Sequence, residues 1–295
     1  MTLRITIDVF SGRPNPIIEI SGGKATDFLK RVTPAAKLPR DEMPSPDWRL
    51  GYRGLVVEQI RGMNRSLPRV FRVAAGILYG GDTPRSIADP NLEKSFFEPR
   101  GTGGKVKIRG IVDPQNLLRK AVGDLRRFRD QYARSRHRRP HRRHPKCECA
   151  PLYEPGWWND GGQRQLNNNC YNYACDYRTD TFAQPGQANG AMYTTLTCSS
   201  VGPAAIADAL IANPGANNRC PKEGHLVALV IWPGVDFHWY RKGRNGLWSH
   251  KPGSTRVRDI DNSGHLIHDP RVADRDGYVN FCTFMTAMHG HIKIR

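Results

Sequence analysis

The stretch Asn167-Asn168-Asn169-Cys170-Tyr171-Asn172-Tyr173-Ala174 decides how the second half of this chain is read. Three asparagines, all good N-cap residues, precede a cysteine and a short aromatic run, which predicts a helix opening at Cys170. A thiol in a first helical turn lies near unpaired backbone N–H groups that favour the thiolate. The same N–H groups can stabilise a tetrahedral oxyanion. Such a nucleophile still needs an imidazole, which has to come from another element.

Downstream the pattern turns to β. Residues 226–232 form a continuous apolar run, 237–241 a second strand and 246–250 a third, with Gly243-Arg244-Asn245-Gly246 as the turn between the last two. His238 lies in Asp236-Phe237-His238-Trp239-Tyr240-Arg241 and His250 in Trp248-Ser249-His250-Lys251. The hairpin predicts that both side chains share one face, with His238 as general base and His250 orienting it. Asp236 competes as the orienting group. His225, in Gly224-His225-Leu226-Val227-Ala228, offers a second assignment in which it is the base, His238 the third residue and His250 structural. Gln163 and Gln165 are candidate oxyanion donors. The plainer alternative is a buried, inert cysteine among ten histidines whose order is accidental.

A helix-borne cysteine, then a histidine on a strand, then a polar residue on the next strand resembles the NlpC/P60 and CHAP-like branch of papain-fold cysteine hydrolases. Asn169-Cys170-Tyr171-Asn172-Tyr173-Ala174 is similar to the nucleophile helix of that group. The resemblance covers residues 157–290. It implies a papain-like α+β domain with an antiparallel sheet. It also implies peptidase or amidase chemistry through an acyl-thioester, on a peptide or other amide substrate.

Upstream, residues 3–10 alternate as a strand, Ser11-Gly12-Arg13-Pro14-Asn15-Pro16 is turn chemistry, and 17–20 suits a returning strand. Residues 25–32 predict a short helix, 54–60 and 70–79 further strands, and 114–133 a helix with Leu117, Leu118, Val122, Leu125 and Phe128 at helical spacing. After Cys170 a helix is expected over 203–211. The fold class expected is α+β: an accessory domain over 1–133, a basic linker over 134–155 and a cysteine-hydrolase-like domain over 156–295.

The net charge of +18 is concentrated. Residues 119–146 hold twelve Lys/Arg against two Asp, a local net of +10. Dense like charge with prolines and no aliphatic residues over 134–146 cannot bury enough surface to fold alone. This tract attracts polyanions, nucleic acid or a cell-wall polymer, by field effects and counterion release. It lacks the interleaved aromatics of sequence-specific base reading. A non-enzymatic polyanion binder on a degenerate hydrolase scaffold is therefore the rival to the hydrolase.

Seven cysteines cannot all pair internally; reduced core thiols are the plainer reading, with a Cys198–Cys220 disulfide as the alternative in an oxidising compartment. His141, His144, Cys147 and Cys149 are zinc-type ligands, but their crowded spacing amid arginine favours a basic arm. Asp259-x-Asp261-x-Ser263-Gly264 starts like a calcium loop, yet its twelfth position is Pro270, which favours a turn. Neither cofactor nor metal is expected. No apolar run reaches the length of a membrane span, and the N-terminus lacks the apolar segment of a signal peptide. A mean hydropathy of −0.59 fits a soluble, loop-rich chain, cytoplasmic or exported non-classically.

Overall fold

The computed structural model describes residues 1–38, 45–81, 83–98, 101, 103–104, 106–132 and 146–295. Most of the expected basic linker, including His141 and His144, lies outside the described residues. The chain divides into two compact units, and the division is not a single cut. The first comprises Met1–Val9, Asn15–Pro46 and Tyr52–Arg138, and the second Phe10–Pro14, Asp47–Gly51 and Arg139–Arg295. Both are mixed α and β with antiparallel sheets, so the α+β class is correct.

In the first unit, strands β1 (Thr2–Asp8), β2 (Ile17–Ser21), β3 (Pro34–Lys37), β4 (Gly54–Arg61), β5 (Val70–Ala74), β6 (Ile77–Tyr79) and β7 (Arg85–Ile87) form one sheet. Their order is β2-β1-β4-β5-β6-β7-β3. Leu3, Ile5 and Ile7 alternate into the core, as a half-buried strand requires. The helices are α1 (Gly23–Val32), α2 (Leu92–Phe96) and α3 (Pro114–Tyr132). Ala25, Phe28, Leu29 and Val32 give α1 its buried stripe. The strand expected over 70–79 is instead a hairpin, because Ala75 and Gly76 turn with φ of 51° and 77°. Asp8 accepts from Arg53 and Arg72 at 2.6 and 2.7 Å. Burial alone would raise this carboxyl, but the two guanidiniums overcome it and hold the pKa at about 2.

The second unit holds helices α4 (Pro155–Trp158), α5 (Gln163–Asn167), α6 (Cys170–Cys175) and α7 (Cys198–Ala207). Its strands are β8 (Ile211–Ala212), β9 (His225–Trp232), β10 (Asp236–Lys242), β11 (Trp248–His250) and β12 (Asn280–Ala287), in the order β11-β10-β9-β12-β8. The helix expected over 203–211 begins five residues earlier and encloses Pro203, whose missing N–H removes one rung without ending it.

Strands β9 and β10 are buried on both faces, so the sheet separates two cores. One core joins Cys170, Tyr171 and Ala174 of α6 to Val227, Leu229 and Ile231 of β9 and to Phe237 and Trp239 of β10. The other, across the sheet, collects Leu226, Ala228, Val230, Tyr240, Trp248 and Tyr278.

Two disulfides brace this unit, Cys147–Cys220 and Cys198–Cys282. The reading of reduced thiols and the Cys198–Cys220 alternative are thus both corrected. Both cysteines are paired, but to partners 84 and 73 residues away that only the fold brings near. Cys149, Cys170 and Cys175 are free.

Candidate functional site

The asparagine run does more than start α6. Asn169 accepts from the Tyr171 and Asn172 amides at 3.0 and 3.1 Å, while Asn172 accepts from the Asn169 amide at 3.1 Å, a reciprocal capping box. The Asn169 amide group also donates to the carbonyls of Gly12 and Ala183, both at 2.8 Å. Asn168 accepts from the Thr179 and Asp180 amides. The run is therefore a knot of loop contacts at the head of the helix.

Cys170 opens α6 as expected, and its sulfur is fully buried. The sulfur lies 4.0 Å from the Phe237 carbonyl oxygen. Burial pushes the thiol well above its ordinary value, and the Asp236 carboxylate pushes the same way. Cys175, at the other end of the helix, is also buried with a raised thiol pKa.

Side chains of a strand alternate between faces. Phe237 and Trp239 face Cys170, which puts His238 and Tyr240 on the opposite face. His250 lies opposite Tyr240 in the β10–β11 register and stacks on its ring at 5.2 Å. The hairpin thus brings His238 and His250 together, as expected, with His238 Nε2 2.9 Å from His250 Nδ1. It brings them together across the sheet from Cys170. His225 is on the helix side, but its Nε2–H donates to the Ala174 carbonyl at 2.7 Å, near the C-terminal end of α6. Burial, the largest influence on this ring, lowers its pKa to about 4.

Asp236 turns its carboxylate to backbone amides and a tyrosine. Its carboxylate accepts from the backbone amides of Ser11, Gly12 and Arg13 at 2.6, 3.2 and 3.1 Å, and from the Tyr278 hydroxyl at 2.6 Å. Four donors converge on one buried carboxylate and bind the segment Phe10–Pro14 over the start of β10. Gly12 sits so close that a Cβ there would lie 2.3 Å from the Phe237 ring. Burial raises the Asp236 pKa against the pull of these donors.

Gln165 accepts from the Gly161 amide in a local turn, and Gln163 is exposed. Neither is held toward Cys170. Sequence reasoning passed over Lys251, which is buried and donates to the carbonyls of Gln165, Asn168 and Gly253 at 2.5 to 2.6 Å. Its signal was visible beside His250, but a lone lysine reads as surface until the carbonyls around it are known.

Cys147 of the zinc-type set is disulfide-bonded, and no cluster of three metal-ligating side chains occurs among the described residues. Asp261 of the calcium-like loop accepts from the amides of Ser263, His265 and Asp274, which makes it a turn residue. No helix among the described residues is long and apolar enough to cross a membrane.

No family model matches the chain, and no solved structure matches it. Insoluble matrix shell protein 1 of Ruditapes philippinarum is 46% identical over 136 residues, which cover 45% of this chain and 87% of that protein. An identity this high over nearly all of the relative means that the chain belongs to the family of insoluble matrix shell protein 1.

Proposed function

We propose that this chain is a non-catalytic structural protein of an insoluble extracellular matrix. The observation that carries this reading is the placement of Cys170, sealed among apolar side chains with a raised thiol pKa while His238 and His250 occupy the other face of the sheet. A nucleophilic cysteine needs an accessible sulfur held as thiolate, whereas at Cys170 burial outweighs the pull of the Lys251 charge. Two disulfides fit a protein that matures in an oxidising compartment. The relative's name supplies the setting.

A thiol hydrolase of papain-like fold is the second reading. It is favoured by one observation, that Cys170 heads a capped helix packed on an antiparallel strand. It requires the sulfur to be uncovered and an imidazole to reach it.

Labelling with a thiol-reactive electrophile separates the two. In the native protein, Cys149, the exposed free cysteine, should label, and Cys170 should label only after unfolding. Rapid modification of Cys170 in the native state, abolished in Cys170→Ala, would overturn the structural reading.

A further inference from the structure

The second unit carries an open groove of about 570 Å³ whose lining includes Lys146, Asn218, Arg219, Lys242, His268 and Asp269. Three basic side chains thus meet one carboxylate. That carboxylate is already engaged, because Asp269 accepts from the Arg271 guanidinium at 2.6 and 3.0 Å. Lys146 and Arg219 form no ion pair among the described residues.

The groove floor is tied together by hydrogen bonds centred on Asn218. Asn218 accepts from Lys242 Nζ through its backbone and side-chain oxygens at 2.7 and 2.6 Å, and its side-chain oxygen also accepts from Trp248 Nε1 at 2.8 Å. Its amide group donates to the His268 carbonyl at 3.0 Å. An ammonium has three donors, so these contacts fix Lys242 and occupy two of them. Burial, only partly offset by Asp269, lowers the Lys242 pKa to about 8. An opposite charge in the groove would offset that penalty by stabilising the ammonium form.

In sequence, the lining residue Lys146 follows the basic tract directly. Residues 134–143 contain six arginines, and Lys146 follows Arg143 by three positions. The next residue, Cys147, is bonded to Cys220, which also lines the groove.

We propose that the groove is a binding site for the sulfate esters of an anionic polysaccharide, with Lys146, Arg219 and Lys242 as the anion-binding groups. The choice of a matrix polysaccharide rests on the proposed function, whereas the anion site stands on the groove alone. Nucleic acid is the weaker fit, because no Trp, Tyr or Phe lines the groove to stack a base.

Titration of the full chain with a heparin-derived oligosaccharide tests this, with single-stranded DNA of equal charge and inorganic sulfate as parallel arms. Lys146→Gln/Arg219→Gln should weaken oligosaccharide binding at least tenfold and lower the salt slope by about two counterions. A second variant, with the six arginines of 134–143 changed to Gln, should retain sulfate-dependent protection of Lys146 against acylation. Unchanged oligosaccharide binding in the groove variant overturns the site. Tighter binding of the DNA, or displacement by inorganic sulfate as effective per sulfate as by the oligosaccharide, overturns the polysaccharide. Labelling of native Cys170 would refute the structural function and leave the groove result untouched.

Discussion

His238 Nε2 and His250 Nδ1 lie 2.9 Å apart, and the second nitrogen of His250 fixes which of them donates. His250 Nε2 is 3.1 Å from the Ile260 carbonyl, an acceptor only, so that nitrogen carries the proton. In neutral His250, Nδ1 then accepts, and His238 Nε2–H is the donor. The pair is a directed chain ending on a backbone carbonyl, with His238 also edge-on to Tyr240 and Tyr278 at 4.8 and 5.8 Å. His238→Ala leaves His250 Nδ1 without its donor and opens a cavity, at a cost of about 2–4 kcal/mol. Urea denaturation measures this, and Cys170 should stay protected from alkylation in the variant.

Cys170→Ala should behave as a core truncation. Loss of one buried sulfur from a packed cluster costs about 1–2 kcal/mol. Thermal unfolding should shift by a few degrees while the near-ultraviolet circular dichroism of Tyr171 and Trp239, whose rings lie 5.3 Å apart, is retained.

His225 links stability to acid. Its folded pKa of about 4 lies below the ordinary 6.5, so the unfolded chain takes up the proton first as pH falls. Stability attributable to this ring should be complete above pH 6.5, decline between 6.5 and 4, and be lost below 4, a total of about 3 kcal/mol. In His225→Gln, which can still donate to the Ala174 carbonyl, chemical-denaturation midpoints should change less across that window.

Asp236 and Gly12 hold the same segment from two sides. Asp236→Asn puts an amide donor where Ser11, Gly12, Arg13 and Tyr278 all donate. Gly12→Ala pushes a methyl into the Phe237 ring. Each substitution should raise hydrogen exchange at the amides of residues 11–13 by at least tenfold. Unaltered exchange in both variants would mean that the carboxylate does not anchor the segment.

Reduction should destabilise the second unit selectively. The two disulfides close loops of 73 and 84 residues, each constraining the unfolded chain by about 4 kcal/mol in the entropic model. Under reductant, the transition reported by Trp239 and Trp248 should move to lower temperature. Substituting Ser for both Cys198 and Cys282 should reproduce part of the shift.

Much of the secondary structure was legible because it is written locally. Alternation placed β1, the continuous apolar run placed β9, and the asparagines placed the start of α6 within the described chain. The hairpin that unites His238 and His250 followed from turn chemistry and the two-residue period. What sequence order could not supply was the face of the sheet on which α6 packs. A one-residue change in which side chains point toward the helix moves both histidines from one core to the other. That choice is made by the apolar partners Phe237 and Trp239, which bury better against α6 than imidazoles would. Disulfide partners 73 and 84 residues apart, and the capture of residues 11–13 by a carboxylate more than 220 positions away, are likewise decided only when the chain has closed on itself. Local chemistry determined the elements, and long-range burial determined which of their side chains meet.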